Sequence, residues 1–128
     1  MTMLATMRRA AILGGVALAA IQAGHSVRLI ETDSQGTLSN WQARRPYAEP
    51  RVEPVYNARD IEGKLLSLRG SDVTLTIIDT AGGNSAATTA AIRYADFCLI
   101  PSRPSVADVD NDGAAEIHVA EGCLELGG

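Results

Sequence analysis

The 128-residue chain is long enough for one domain with a buried core, and it is near the lower limit for an α/β protein with helices on both faces of its sheet. Its two cysteines have neither metal-ligand nor redox spacing, so no such motif is predicted and a reducing cytoplasm is the expected location. The net charge of -4 is unevenly distributed, because residues 105–128 carry six acids and no base. We therefore expect an α/β domain over residues 1–107 and an acidic tail over residues 108–128.

The first predicted element is a helix over Met3–Ala23, which is rich in alanine and ends at Gly24. Because this segment is apolar almost all round, we expect the helix to be buried. A second interpretation is a secretory signal, since Arg8 and Arg9 precede an apolar run that ends in small residues. A membrane span is not predicted, because the apolar run is about a dozen residues and a span needs about 20.

A buried strand is predicted over Val27–Ile30, followed by two acids and a glycine turn. Ligands of open α/β sheets bind where such strands end. Of the two acids, Glu31 and Asp33, we expect Asp33 to face a ligand because it lies nearer to the turn at Gly36. The alternative is structural, with Asp33 capping a short helix around Ser39–Arg44.

The middle of the chain mixes prolines with charges of both signs, which favours a solvated loop over a nucleic-acid surface. A strand near Val52–Tyr56 then precedes a predicted helix over Ile61–Leu68. Within that helix Ile61, Leu65 and Leu68 share one face, which we expect to be buried.

The most informative stretch is the predicted central strand that ends at Asp79. Every residue of Val73–Ile78 is β-branched or aliphatic, which is typical of a strand buried on both faces. Thr80, Gly82 and Gly83 follow, and glycines at this position let backbone amides approach an anion near the next helix. Asp79 is thus the candidate to hold a hydrated metal ion beside a phosphate. The alternative is a strand that simply ends in an acidic turn.

Two further elements complete the pattern. Asn84 is predicted to cap a helix that runs to about Tyr94, and Asp96–Pro101 is a buried strand ended by proline. The alternation of helices and strands along the chain predicts an α/β fold with a doubly wound, mainly parallel sheet and right-handed crossovers.

Three motifs in this order resemble the ParA/MinD branch of P-loop ATPases, above all the ParA-like partition proteins. The motifs are Ala23–Gly36, Ile77–Thr80, and Ala95–Pro101 with Pro104 and Ser105. In the first motif Ser34 stands where the family pattern has the proline of Asp-Pro-Gln-Gly. The resemblance extends from about Gly14 to Asp108, and it implies an incomplete P-loop NTPase-like fold.

The first motif implies a catalytic residue. Asp33 matches the family's aspartate that positions or activates the attacking water, and Gln35 and Gly36 beside it belong to the nucleotide-binding residues. Family members dimerise face to face around ATP and then bind DNA or membrane. The resemblance therefore implies ATP and Mg²⁺ as cofactors.

The second motif implies a metal site. Asp79 matches the Walker B acid, which holds magnesium through water. Thr80, Gly82 and Gly83 match a switch region that senses the γ-phosphate.

The chain departs from the family at the phosphate loop. The family's Lys-Gly-Gly-x-x-Gly-Lys-[Ser/Thr] belongs before the helix that ends near Gly24, and Met1–Arg9 occupies that place. The single lysine, Lys64, follows Gly63 inside a predicted helix and precedes a leucine, which excludes a phosphate loop there. Since phosphoryl transfer needs amides and a lysine around the phosphates, we expect impaired ATP binding and hydrolysis.

The same departure affects the expected sheet. By family topology the missing first strand lies between the strands that end at Asp79 and at Pro101. We expect these two strands to close up on each other, or a partner strand to fill the gap, or the chain to be poorly stable.

The acidic tail contains a pattern of the form D-x-D-x-D-G-x-x-[DE], which can surround a calcium ion with oxygens. Its acids are Asp108, Asp110, Asp112 and Glu116. An EF-hand is excluded because the twelfth position is Val119, and an FG-GAP type of loop is closer since a strand over Ile117–Ala120 follows. The alternative is a solvated acidic tail.

The sequence as a whole predicts a truncated ParA-like protein of a plasmid or chromosome partition system. The expected partners are a ParA-like homodimer or a full-length ParA-like protein, a centromere-binding adaptor protein and DNA, in the cytoplasm and without a membrane span. One alternative is a non-enzymatic module that pairs with a full-length ParA-like protein through its incomplete sheet. Another is a secreted calcium-binding fragment, cleaved after Ala23.

Overall fold

A computed structural model describes residues 3–81, 85–101 and 117–119 of the chain. Within these residues the helices are α1 Met3–Gln22, α2 Thr37–Ala43, α3 Ala58–Arg69 and α4 Ala86–Tyr94, and the strands are β1 Val27–Glu31, β2 Arg51–Pro54, β3 Leu75–Asp79, β4 Leu99–Pro101 and β5 Ile117–Val119. The chain forms two compact units that divide between Ala91 and Ile92. This division lies upstream of the domain boundary that the sequence predicts after residue 107.

The first unit contains a three-stranded, fully parallel sheet in the order β2-β1-β3. Leu29 of β1 lies in register with Val52 on one side and Ile77 on the other. The predicted α/β class with a parallel sheet is confirmed. The predicted central strand is wrong, because β1 occupies the centre and β3 pairs with β1 alone among the described residues. Accordingly Leu75–Ile78 is half-buried, not buried on both faces.

The core of this unit lies between α1 and one face of the sheet. Apolar residues of β1 and β3 alternate with a period of two, which directs every second side chain to that face. The cluster comprises Ala17, Val27 and Leu29, with Ala20, Ile21, Trp41, Val52, Leu75 and Ile77 packed against it. Leu29 and the next residue, Ile30, are both fully buried, so both faces of β1 are covered.

The prediction that α1 is buried all round is wrong for the residues whose side chains the structure describes. Gly14 and Ala17 are buried, whereas the exposed fractions of Ile12 and Val16 are 43% and 44%. Apolar composition predicts affinity for a core, but the sheet covers only one side of the helix. Among the described residues, no helix is both long enough and apolar enough to span a membrane.

The predicted face of α3 is confirmed, because Ile61, Leu65 and Leu68 are all buried. The helix begins earlier than predicted, at Ala58. Its start is fixed by Asn57, whose side chain accepts a hydrogen bond from the backbone amide of Asp60 at 2.9 Å.

Residues from the predicted acidic tail form a strand in the second unit. β5 pairs antiparallel with β4, with Leu99 opposite Val119. The predicted tail strand over Ile117–Ala120 is therefore confirmed at Ile117–Val119, but the expectation that the strand ending at Pro101 joins the parallel sheet is wrong. Among the described residues β3 and β4 belong to different sheets, so the expected pairing of these two strands is not found.

The start of α4 is capped by a hydroxyl. Ser85 lies immediately before the helix, and its Oγ accepts a hydrogen bond from the backbone amide of Thr88 at 3.0 Å. Asn84, the predicted cap, lies outside the described residues.

Candidate functional site

The candidate site is the edge where β1 and β3 end, which we call the β1–β3 edge and define as Glu31–Gly36 with Asp79–Ala81. Glu31 is in register with Asp79, so the two parallel strands end side by side. Thr32 fastens the two ends together, because its backbone amide and its hydroxyl both donate to the carbonyl oxygen of Asp79, at 3.0 and 2.9 Å. Thr32 is buried, so this contact is protected from water.

Asp33 lies in the turn that leads from β1 into α2. Its Oδ1 accepts a hydrogen bond from the backbone amide of Gln35 at 3.0 Å, and its carbonyl oxygen accepts one from the amide of Gly36 at 3.2 Å. Gly36 has a φ of 68°, a left-handed conformation that favours glycine, and it directly precedes α2. The half-buried Asp33 carboxylate thus orders its own turn, in the manner of an Asx turn.

The interpretation of Asp33 as the cap of α2 is wrong, because Glu31 has that role. Glu31 is fully buried, and its carboxylate accepts hydrogen bonds from the backbone amides of Leu38 at 2.7 Å and Ser39 at 3.3 Å. It also accepts a hydrogen bond from the Ser39 hydroxyl. A carboxylate beneath the first turn of a helix satisfies amides that have no partner within the helix.

Glu31 was set aside in the sequence prediction, although a signal for it exists. Glu31 follows Val27 and Leu29 at intervals of two residues, so strand alternation directs all three side chains to the same covered face. An acid at such a position needs buried partners, and the amides of the next helix are the nearest source.

Asp79 is the second buried carboxylate at this edge, with an exposed fraction of 2%. Because paired residues of parallel strands direct their side chains to the same face, Asp79 and Glu31 face the same side of the sheet. Neighbouring strands lie about 4.8 Å apart, so the two acids are adjacent at the end of the sheet. Thr80 follows Asp79 and is half-buried.

Several predicted site residues lie outside the described residues. They are Gly82 and Gly83 of the predicted switch region, and Asp108, Asp110, Asp112 and Glu116 of the predicted calcium loop. Across residues 3–81, 85–101 and 117–119, no group of three or more His, Cys, Asp or Glu side chains is placed to hold a metal ion.

A second feature of the first unit is an open cleft of about 580 Å³ between the end of β2 and the first turns of α3. Lys64 lines this cleft, and its Nζ forms an ion pair with Glu53 of β2. Glu53 also pairs with Arg28 of β1. The single lysine of the chain is therefore paired with β2, which is the edge strand on the other side of the sheet from β3.

No model of a known protein family matches this chain, and no curated protein matches it. Function is therefore inferred from the sequence motifs and from the geometry of the β1–β3 edge.

Proposed function

We propose that this chain is a ParA/MinD-like protein of a plasmid or chromosome partition system, acting in the cytoplasm with little or no ATP binding. The observation that carries the proposal is that Asp33, two residues beyond β1, and Asp79, the last residue of β3, lie at the same end of two adjacent parallel strands. Asp33 and Asp79 are 46 residues apart in the sequence, yet the contact of Thr32 with Asp79 joins the ends of the two strands.

The sheet order supports an incomplete, doubly wound fold of the P-loop NTPase type. The chain moves outward from β1 to β2 and then returns past β1 to β3. Because parallel crossovers are right-handed, this reversal directs α2 and α3 to opposite faces of the sheet. The outer edge of β3, where family topology has a further strand, carries no partner strand among the described residues.

The residues present do not fit a working ATP site. The family's phosphate site needs a glycine-rich loop with a lysine and a hydroxyl, and the chain contains no Gly-Lys-[Ser/Thr] sequence. Lys64 is paired with Glu53 at the far edge strand, and Asp79 is 2% exposed. Asp33 and Asp79 therefore lack the surrounding groups that hold a nucleotide for hydrolysis. The proposed partners are another ParA-like chain, a centromere-binding adaptor and DNA.

A segregation assay in the organism of origin tests the function. Deletion of the gene should raise the loss rate of the replicon that it serves, and the wild-type gene should restore stable inheritance. The matched variant is Asp33→Asn, since an asparagine oxygen can still accept the hydrogen bond from Gln35. If the chain acts without hydrolysis, Asp33→Asn restores inheritance as fully as the wild type.

The outcomes separate two parts of the proposal. Deletion without any effect on replicon loss contradicts the partition function. Failure of Asp33→Asn to restore inheritance, with a normal protein level, contradicts the absence of a hydrolytic role.

Calorimetric titration with Mg·ATP tests the cofactor directly. We expect no saturable binding up to about 1 mM nucleotide, which corresponds to a binding free energy weaker than about -4 kcal/mol. A magnesium-dependent dissociation constant in the low micromolar range contradicts this expectation.

A further inference from the structure

We propose that the open cleft between the end of β2 and the first turns of α3 binds a free α-amino acid with an apolar side chain. We call it the β2–α3 cleft and define it by the lining residues that the ligand would use, Pro54, Tyr56, Arg59, Asp60, Gly63 and Lys64. None of these residues belongs to the β1–β3 edge. The proposal is therefore independent of the partition function and of nucleotide.

The cleft has the size and the position of a small-molecule site. Its volume of about 580 Å³ lies within the range of roughly 300–1,000 Å³ that is typical of ligand pockets. β2 ends at Pro54 and α3 begins at Ala58, so the cleft lies where a strand of the parallel sheet passes into the next helix. Ligands of α/β sheets bind at this end of the strands.

A glycine inside α3 leaves room in the cleft. Glycine destabilises the interior of a helix relative to alanine, so Gly63 weakens α3. Packing within the described residues does not require it, because a Cβ at Gly63 would meet no atom within 4 Å outside the adjoining helix. A helix backbone without a side chain at this point allows a ligand to approach closely.

Charged residues flank Gly63 on the surface of α3. Successive helix residues are about 100° apart, so Arg59 lies about 40° to one side of Gly63, and Asp60 and Lys64 lie about 60° and 100° to the other. All of them fall within about 8 Å along the helix axis. A ligand over Gly63 therefore has a cation on one side, and an acid and a second cation on the other.

The ion pairs of the cleft show which cations a ligand can use. Glu53 also lines the cleft, and it pairs with both Lys64 and Arg28. Because an ammonium has three N–H donors, Lys64 can bind Glu53 and a ligand oxygen together. Arg59 has no ion pair or side-chain hydrogen bond within the part of the chain that the structure describes. Its guanidinium is therefore available to a carboxylate.

Asp60 supplies the opposite charge. Its Oδ2 accepts a hydrogen bond from Nδ2 of Asn57 at 2.6 Å, and its amide donates to Oδ1 of Asn57 at 2.9 Å, so its position is fixed. A ligand that is only an anion would be repelled by Asp60, and one that is only a cation would be repelled by Arg59 and Lys64. An ammonium and a carboxylate on the same carbon match all three residues. This charge pattern is the reason for choosing an α-amino acid.

The lining from the β2 side selects the ligand's side chain. Pro54 and Tyr56 contribute apolar surface there, and Tyr56 is 53% exposed. An apolar side chain that covers the Tyr56 ring removes both surfaces from water. We therefore expect leucine, methionine or phenylalanine to bind more tightly than glycine.

Titration of the full ¹⁵N-labelled chain with L-leucine, L-methionine and L-phenylalanine, followed by amide chemical shifts, tests the proposal. We expect saturable binding of at least one of them, with a dissociation constant below about 10 mM and shifts at Gly63 and Lys64. The N-acetyl derivative of that amino acid lacks the ammonium, and its amide derivative lacks the carboxylate. Each derivative should raise the dissociation constant by about 10-fold or more, because one charge pairing is lost.

Two variants with matched controls locate the site. Arg59→Gln should raise the dissociation constant by about 10-fold, whereas Arg69→Gln, at an exposed arginine of α3 outside the cleft lining, should not change it. Gly63→Gln should raise the constant by about 10-fold or more because its side chain fills the cleft, while the urea midpoint rises with helix propensity. Gly15→Gln in α1, where a Cβ also meets no atom within 4 Å, should raise the midpoint without affecting binding.

Four outcomes would overturn the proposal. They are no saturable binding of any of the three amino acids, binding of the N-acetyl derivative as tight as that of its parent, binding of inorganic phosphate at the same amides with equal affinity, and binding that tolerates both Arg59→Gln and Gly63→Gln. The second and third outcomes indicate a simple anion site, and the fourth places the ligand elsewhere. Each of them leaves the partition function unaffected.

Discussion

The substitution Glu31→Gln tests the buried contact that joins the end of β1 to the start of α2. The fully buried carboxylate accepts hydrogen bonds from the amides of Leu38 and Ser39 and from the Ser39 hydroxyl. Glutamine has nearly the same shape but only one acceptor oxygen. Its NH₂ group then faces an amide N–H, so one buried donor loses its partner.

The expected cost follows from the charge and from the lost acceptor. A hydrogen bond to a charged group contributes about 1.5–3 kcal/mol, and an anion at a helix N-terminus contributes about 0.3–1 kcal/mol. Because glutamine retains one of the bonds, we expect the free energy of unfolding to fall by about 2 kcal/mol. The control is Glu49→Gln, whose exposed pair with Arg51 at 3.7 Å should contribute less than about 0.5 kcal/mol.

Urea unfolding followed by far-UV circular dichroism measures both variants. If Glu31→Gln lowers the free energy of unfolding by less than about 0.5 kcal/mol, the carboxylate does not stabilise the start of α2.

Two further substitutions test the packing of α1 against α2 and the contact that joins the ends of β1 and β3. Gly14→Ala should be less stable than Gly15→Ala by about 1–3 kcal/mol in the same urea assay, because only the first substitution places a methyl group against the ring of Trp41. Both substitutions raise the helix propensity of α1 equally, so that gain cancels in the comparison. Equal stabilities contradict the α1–α2 contact. Thr32→Val should cost about 1 kcal/mol, since it removes the hydroxyl bond to the Asp79 carbonyl but keeps the amide bond. A neutral effect in urea unfolding shows that this hydroxyl does not fasten the strand ends.

Patterns that depend on one element alone were predicted well. The periodic face of α3 and the strand Leu75–Asp79 follow from local propensity and from side-chain period, and both are present. Expectations that depend on a partner element failed. The apolar residues of α1 gave no sign of how much of the helix the sheet would cover, and Ile12 and Val16 are exposed.

The predictions for the candidate site divide in the same way, into those that one element decides and those that depend on a neighbouring element. Strand ends were located from the acids and glycines, so Asp33 and Asp79 lie at one edge as predicted by the parallel sheet. The sequence did not show that Glu31, and not Asp33, accepts hydrogen bonds from the start of α2. This depends on which carboxylate lies next to the backbone amides of the helix in the folded protein. That arrangement is tertiary, and only the alternation of Val27, Leu29 and Glu31 hinted at it.

Binding of the purified chain to the centromere-binding adaptor of the same partition system tests the central claim most directly. We expect saturable binding with the same dissociation constant in the absence of nucleotide and in the presence of Mg·ATP. Absence of binding under both conditions contradicts the assignment to a partition system, and binding only with Mg·ATP contradicts the loss of the nucleotide site.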